Sequence, residues 1–496
     1  MEMGRLRSRQ GSPFHIEEIR TVSDLSRFVK AYDVRGTVPD QLNAQVAGAF
    51  GAAFVRVLRR EAPVPAIVVA HDMRPSSPEL ADAFAAGANA EGTDVVLAGL
   101  ASTDLLYFAA GYLDLPGVMF TASHNPARYN GIKLCRAGAK PIGLETGLAE
   151  IRDEAQALLD DTARPGGTPL LDDIARPGGT ARPGAGTVQR RDLLVDYARY
   201  LRTLVDLSGI RPLKVVVDAG NGMAGYTVPA VLGDARLDPL PLDITPLYFE
   251  LDGTFPNHEA NPLEPKNLVD LQVAVQKRGA DIGLAFDGDA DRCFVVDERG
   301  DPVSPSAITA LVAARELAKH PGGTIIHNLI TSAAVPEIVR EHGGQPLRSR
   351  VGHSYIKAEM ARTGAVFGGE HSAHYYFRDF WGADTGMLAA MHVLAALGEV
   401  AGPLSELGAR YERYAASGEI NSTVADQQGK LAEVEARFGP GNEVDRLDGL
   451  TVRFPDGAWV NLRPSNTEPL LRLNVEAPDA ERMARLRDQV LAAVRS

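Results

Sequence analysis

Cysteine is nearly absent: Cys135 and Cys293 are the only two in 496 residues. Far apart in the chain, they form neither a disulfide framework nor a zinc-ligand spacing, and a reducing, cytoplasmic location is the expectation. No run approaches the ~20 apolar residues of a membrane-spanning helix, so no membrane partner is expected. Arg5, Arg7 and Arg9 lie near the N-terminus with no apolar run behind them, which does not read as a signal peptide. Aromatic residues make up 6% of the chain, which gives no support to a base-stacking surface for single-stranded nucleic acid. Positive charge is in deficit, with a formal net charge of −13. An anionic ligand must therefore be drawn in by a local basic site and not by the overall field, and no nucleic-acid partner is expected. The remaining composition, 45% hydrophobic and 23% charged, is that of an ordinary globular protein. The length exceeds what one core can organise, and roughly three to five domains of about 100–150 residues are expected.

Hydrophobic patterning divides the chain. Residues 1–24 read as a loose polar extension. A helix is predicted from Leu42 to Arg59, a buried strand at Ala66–Ala70, a helix from Pro78 to Asn89 and a strand at Asp94–Ala98. Strand–helix–strand alternation at this spacing predicts parallel sheet with crossover helices, an α/β fold. A first unit is expected over residues 25–162. Ala163-Arg164-Pro165-Gly166-Gly167-Thr168 then recurs at Ala175–Thr180 and loosely at Ala181–Gly184, and a repeat this rich in Pro and Gly cannot bury a core. Residues 163–187 are read as a linker or loop. A second unit is expected over 188–301, with a strand at Leu213–Asp218 entering the glycine-rich turn Ala219–Gly225, and another at Ile282–Phe286. That turn is out of register with Gly-x-Gly-x-x-Gly, and close strand–helix packing explains its glycines equally well. A third unit over 302–415 opens with a helix from Pro305 to Lys319. The last, 416–496, reads as strand-rich with a closing helix from Ala480 to Arg495.

Four loops carry chemistry. The apolar run Gly117–Phe120 stops at Thr121-Ala122-Ser123-His124-Asn125-Pro126, placing Ser123 on a tight polar loop at a strand end, where α/β folds keep their chemistry. A serine nucleophile needs a base. His124 is adjacent in sequence, but neighbours in an extended chain point to opposite faces, so it is poorly placed to serve. The second loop is Asp287-Gly288-Asp289-Ala290-Asp291-Arg292. Fully extended, its outer carboxylates would stand roughly 13 Å apart, so Gly288 and Ala290 must allow the curl that brings them onto one ion. Hard oxygen ligands suit Mg²⁺, which also takes phosphate oxygens. An EF-hand is disfavoured: Glu298 falls at the twelfth position, but Arg292 stands where glycine is required, and the flanks read as strands. In the third loop, Glu370, Ser372 and His374 alternate and would share one face of an extended segment, a face suited to sugar hydroxyls. In the fourth, Arg463, Ser465, Asn466 and Thr467 supply the guanidinium, hydroxyl and amide donors that grip a phosphate. Near the start, Tyr32 and Arg35 could contact a phosphate or pack a surface turn.

Taken together and in this order, the four loops resemble those of the α-D-phosphohexomutase family, of phosphomannomutase/phosphoglucomutase type, over nearly the whole chain from about Phe28. The resemblance implies four domains around a central cleft, three similar mixed α/β units and a smaller C-terminal α+β domain. It implies that Ser123 is carried as a phosphoserine and shares Mg²⁺ with Asp287, Asp289 and Asp291. It also implies interconversion of hexose 1-phosphate and hexose 6-phosphate through a hexose 1,6-bisphosphate, which acts as activator. Arg292 would offset charge, and Lys133 and His374 are the candidates for moving the proton. Arg35 and His353 would support the phosphoserine end or the cleft, and Tyr32 would join the substrate contacts. Glu370 and Ser372 would read sugar hydroxyls, while Arg463, Ser465, Asn466 and Thr467 would hold the phosphate that is not reacting. Asn466 and the His371-Ser372 pair lean toward mannose phosphate, with glucose phosphate also admitted. Alternatives are a phosphoglucosamine mutase, a phosphatase, and a non-catalytic sensor of Mg²⁺ and sugar phosphate. Small-molecule hexose phosphates are the expected partners, in a monomer or homodimer.

Overall fold

The structure, a computed structural model, describes residues 24–164, 184–465 and 470–496. The N-terminal extension, most of the Ala-Arg-Pro-Gly-Gly-Thr repeats, Asn466 and Thr467 fall outside the described residues.

Among the described residues there are four sheets, of seven, five, five and six strands. The first three share one plan. In the first, the strand Ala66–His71 is flanked by two parallel partners, Asp94–Leu100 and Gly117–Phe120, and the chain leaves Gly117–Phe120 through a loop to return antiparallel as Tyr129–Arg136. In the second, Leu213–Asp218 lies between Leu242–Leu247 and Ile282–Phe286, and Cys293–Asp297 returns antiparallel. In the third, Thr324–Asn328 lies between Gln345–Ser349 and Phe367–Gly369, and Tyr375–Phe377 returns antiparallel. The loops holding Ser123, the three aspartates and Glu370–His374 thus occupy the same position in three repeats of one topology. Each lies at the carboxyl end of a parallel strand, the usual location of ligand sites in such sheets. The fourth sheet is antiparallel and packs the closing helix Ala480–Val494 against its longest strand, Leu470–Ala477.

Local sequence explains the supporting elements. Asn43 caps the helix Ala44–Arg59 by accepting from the amide of Val46 at 3.1 Å. That helix crosses Ser77–Ala90 at backbone contact: a Cβ on Gly51 would lie 2.1 Å from the Phe84 carbonyl oxygen, and one on Gly87 2.0 Å from that of Gly48. The helix Gly386–Gly398 is apolar apart from His392, which meets Glu316 at 3.3 Å, and is buried along its whole length.

Several strands lie across the boundaries read from the sequence. Val188–Arg190 pairs with Asp94–Leu100 at the edge of the first sheet, although residue 188 was assigned to the second unit. Pro302–Val303 pairs back onto Cys293–Asp297, and Ala415–Ala416 onto Leu470–Ala477. Two- and three-residue strands of this kind carry no periodicity of their own. Ladder pairing alone assigns them to a sheet.

Candidate functional site

The Ser123 loop is built around one buried cation that sequence reasoning passed over. Arg74, 1% exposed, donates to the carbonyl oxygens of Ser123 at 2.9 Å, Asn125 at 2.7 Å, Pro126 at 3.0 Å and Tyr129 at 2.9 Å, and its Nε lies 3.2 Å from Asp72 Oδ2. Asp72 in turn accepts from Ser77 Oγ at 2.6 Å. An Asp-x-Arg at a strand end followed by serines was the available signal. Ser123 itself adopts φ +48°, a left-handed backbone that a non-glycine residue rarely takes, and is only 5% exposed.

That strained backbone alters one expectation. The chain at Ser123 is not extended, so the His124 ring turns back toward its neighbour, with Nδ1 3.2 Å from Ser123 Oγ. Arg292 Nη2 stands 2.7 Å from the same Nδ1, and a guanidinium can only donate. The Nδ1 lone pair is therefore engaged by arginine, and His124 is unsuited to be the base for a reason other than the face it was expected to take. Burial first, then Arg292 and Arg35, hold its ring well below the usual histidine range.

Ser123 Oγ donates to Asp287 Oδ2 at 2.8 Å, joining the first loop to the second. The approach is close enough that a Cβ on Gly288 would lie 2.5 Å from the Ser123 carbonyl oxygen. Ala290, at φ +60°, makes the expected curl, and Asp287, Asp289 and Asp291 each bring a carboxylate oxygen within 4.8 Å of the others. Lys133 Nζ donates to Asp289 Oδ2 at 2.8 Å and Asp291 Oδ2 at 2.7 Å, and Thr103 Oγ1 donates to Asp289 Oδ2 at 2.6 Å. Arg292 donates from Nε to Asp287 Oδ2 at 2.9 Å. Burial pushes Asp289 up, but Lys133 and Thr103 outweigh it and hold the carboxyl well below its ordinary value. Burial lifts Asp287 against the pull of Arg292. Asp289 Oδ1 and Asp291 Oδ1 are buried and accept no hydrogen bond. Two orphaned hard oxygens beside a third carboxylate are the donor set a small divalent cation requires, so these residues fit Mg²⁺. The glycine-rich turn Ala219–Gly225 braces this loop from behind: the Met223 amide donates to the Gly288 carbonyl oxygen at 2.9 Å.

The third loop is not extended either. Ala373 sits at φ +64°, and the Glu370 amide donates to the His374 carbonyl oxygen at 3.0 Å, closing a turn. The shared face expected of Glu370, Ser372 and His374 is therefore broken. Glu370, 2% exposed, turns inward to accept from Asn328 at 3.2 Å, the Gly352 amide at 3.1 Å and Tyr376 at 2.7 Å. Ser372 Oγ and His374 Nδ1 stay together at 3.0 Å, and His374 Nε2 lies 3.8 Å from Asp291 Oδ1. Arg35 Nη1 donates to Asn125 Oδ1 at 2.6 Å, so it abuts the Ser123 loop, and its Nε is buried without a hydrogen bond. Tyr32 packs edge-on against His353 with ring centroids 4.7 Å apart, linking the first unit to the third. In the fourth unit, Arg463 and Arg472 face each other across two strands, and both lean on Glu419, at 3.4 Å and 3.3 Å. The Ser465 amide donates to the Leu470 carbonyl oxygen at 2.8 Å.

Family comparisons match all four units in order. Phosphoglucomutase/phosphomannomutase alpha/beta/alpha domains I, II and III match residues 26–160, 195–300 and 304–414, and the family's C-terminal domain matches 419–493. The chain belongs to the phosphoglucomutase/phosphomannomutase family. A phosphohexose mutase of Xanthomonas campestris pv. campestris is 42% identical over 451 residues, covering 90% of this chain and 94% of that protein. A phosphomannomutase of Escherichia coli K12 is 39% identical over 457 residues, with the same two shares. Among solved structures, a phosphoglucomutase/phosphomannomutase family protein of Burkholderia thailandensis superposes with a TM-score of 0.79 at 33% identity, over 96% of this chain and 98% of that one. The protein is thus an intramolecular phosphotransferase acting on hexose phosphates. No helix among the described residues of this mutase is long and apolar enough to cross a membrane.

Proposed function

We propose that this mutase interconverts hexose 1-phosphate and hexose 6-phosphate, with mannose phosphate as the principal substrate and glucose phosphate as a second. Ser123 is carried as a phosphoserine, and a hexose 1,6-bisphosphate is the intermediate and activator. The observation that carries the reading is the 2.8 Å contact between Ser123 and Asp287, which joins a strand-end serine to a carboxylate triplet 164 residues away. The names of the relatives support the choice of sugar.

In the proposed reaction, the free sugar hydroxyl attacks the phosphorus of phosphoserine. The Oγ–P bond breaks, the sugar O–P bond forms, and the hydroxyl proton passes to a base. After the bisphosphate turns end for end, Ser123 Oγ attacks the other phosphorus, and the departing sugar oxygen takes a proton back. Mg²⁺ held by Asp287, Asp289 and Asp291 would neutralise phosphoryl charge when bound. Arg292 adds a guanidinium beside Ser123, in a transfer whose catalysis is mostly positioning and electrostatics. Lys133 and His374, 14% and 20% exposed, are the candidates for the proton, since both reach the cleft from either side of Asp291. Arg35 steadies the Ser123 loop through Asn125. Tyr32 and His353 wall the cleft, and Ser372 presents its hydroxyl to the sugar. Glu370 supports that loop from within. Arg463, Ser465, Asn466 and Thr467 would hold the distal phosphate.

The test supplies mannose 1-phosphate and glucose 1-phosphate separately, with Mg²⁺ and a trace of hexose 1,6-bisphosphate, and follows the 6-phosphates and free phosphate. Conversion without phosphate release is expected, and Ser123→Ala should abolish it while leaving the fold intact. Near-normal turnover by Ser123→Ala would refute the mechanism. Conversion of glucosamine 1-phosphate alone would overturn the sugar.

A further inference from the structure

Away from the cleft, the third and fourth units enclose a crevice of about 370 Å³. Its walls include His327, Arg340 and Arg348 from the third unit and Arg453 and Trp459 from the fourth, with Glu337 as the one carboxylate among the residues lining it. Glu337 is already engaged, accepting from Tyr414 at 2.6 Å and Arg413 at 3.1 Å. Arg348 is paired across the interface with Asp445, and Arg453 stands 3.8 Å from Glu443. Arg340 lies in the last turn of the helix Ala334–Glu341, and among the described residues its guanidinium makes no hydrogen bond or ion pair. Burial first, then Arg348, Arg453 and Arg340, bring His327 down to about 4, against its hydrogen bond with the Asn328 carbonyl oxygen.

Three guanidiniums converging on one recess in a chain of net charge −13 have no part in the cleft chemistry. Guanidinium forks match the geometry of phosphate oxygens, and several together suit a doubly charged anion better than a single carboxylate. Trp459 and the neighbouring prolines supply an apolar wall for the uncharged part of an organic phosphate. We propose that this crevice binds a phosphorylated small molecule through Arg340, Arg348 and Arg453, tying the fourth unit to the third. Among the described residues, direct ties between these units include a small apolar cluster of Leu329, Ile330 and Trp459, the Arg348–Asp445 pair, and hydrogen bonds from the Ala333 amide to Glu476 at 2.9 Å and from the Val351 amide to Asp448 at 3.1 Å. A ligand bridging Arg340 to Arg453 would add to these.

The chain has two tryptophans, Trp381 and Trp459, so 5-fluorotryptophan labelling gives two ¹⁹F resonances, assigned with Trp381→Phe. Inorganic pyrophosphate is the probe, and the readout needs no turnover. A saturable shift of the Trp459 resonance is expected, with Trp381 unmoved. Arg340→Gln, an exposed change that leaves the fold intact, and Arg453→Gln should each weaken binding by about tenfold or more, whereas Arg463→Gln, in the cleft, should not. No shift at millimolar pyrophosphate overturns the proposal. So does a shift lost in Arg463→Gln but kept in Arg340→Gln, and so does an equal response to succinate, which would make the site a general anion trap.

Discussion

The most informative single change is Arg74→Lys. Arg74 donates to four carbonyl oxygens, of the Ser123 loop and the start of the strand after it, and pairs its charge with the Asp72 carboxylate. Lysine keeps the charge, and so spares Asp72 an unpaired burial, but its three donors share one atom and at least two acceptors lose their partner. At the low end of about 1.5 kcal/mol for a charged hydrogen bond, the loss is about 3 kcal/mol. The larger effect falls on the chemistry. Ser123 keeps its left-handed backbone because the surrounding structure over-determines it, with Arg74 on its carbonyl oxygen and Thr121 Oγ1 accepting from its amide at 2.9 Å. Relaxation of Ser123, the proposed nucleophile, by about 1 Å costs on the order of 10²-fold in rate. Arg74 is 1% exposed and behind the loop, so the sugar does not touch it. Steady-state kinetics on Arg74→Lys should therefore show kcat down about 100-fold with KM nearly unchanged, alongside a lower urea midpoint. Wild-type kcat with the expected loss of stability would refute the reasoning, since the loop would then hold Ser123 without Arg74.

Three further perturbations have outcomes fixed by the same geometry. Asp291→Asn removes one charge from the proposed cation site while sparing the fold, and the Mg²⁺ concentration for half-maximal turnover should rise about tenfold or more; Mn²⁺ titration by electron paramagnetic resonance gives the affinity directly. Burial lifts Asp104 to about 6, against hydrogen bonds from Ser102, Tyr197 and Thr385. The folded state thus holds this proton more tightly than the unfolded chain, where the pKa is 3.8, so its contribution is full below that value and is lost as pH rises toward 6. The loss is about 3 kcal/mol, and Asp104→Asn should flatten that part of the stability–pH curve. Lys357→Met strands Asp384, its partner at 2.6 Å with both side chains 3% exposed or less, and should cost about 3–5 kcal/mol. Adding Asp384→Asn should return most of it in thermal unfolding.

Legibility in the sequence followed the physics of each segment. The strands Ala66–His71, Gly117–Phe120 and Ile282–Phe286 are buried on both faces and read as continuous apolar runs. The helix Thr103–Tyr112 was missed because it is buried nearly all round among the units, which leaves little amphipathic period to find. Val269–Arg278 and Gln427–Phe438 were missed for the opposite reason, as each buries only one or two residues. Leu242–Leu247 is a half-exposed edge strand carrying Asp243 and Pro246, a composition that argues against strand. In the candidate site, the serine and aspartate loops, which the fold brings together, could be singled out because loop chemistry is local. Arg74 and Thr103 were not, because each acts on a loop far away in sequence. The inward turn of Glu370 was hidden by the positive φ of Ala373, a conformation alanine does not announce.

The shared plan of the three α/β units shifts the burden of catalysis from the loops to the joints between units. Ser123, the aspartates and His374 come from the same loop position in three repeats, so no local segment fixes their mutual geometry. Apolar packing between units tolerates small slips, whereas buried hydrogen bonds do not. One such joint is Asp104, which accepts from Tyr197 at 2.6 Å and from Thr385 of the third unit at 2.7 Å. Its sequence neighbour Thr103 bonds both the backbone and the carboxylate of Asp289. The neighbour of Thr385, Gly386, packs so tightly that a Cβ there would lie 2.6 Å from the Arg292 carbonyl carbon. Register at the joint is thus passed within one residue to both Asp289 and Arg292 of the aspartate loop. Asp104 is buried at a cost because it sets the distance from the third unit to Asp289. That makes the relative placement of the units, and not any one loop, the feature of the fold on which phosphoryl transfer depends.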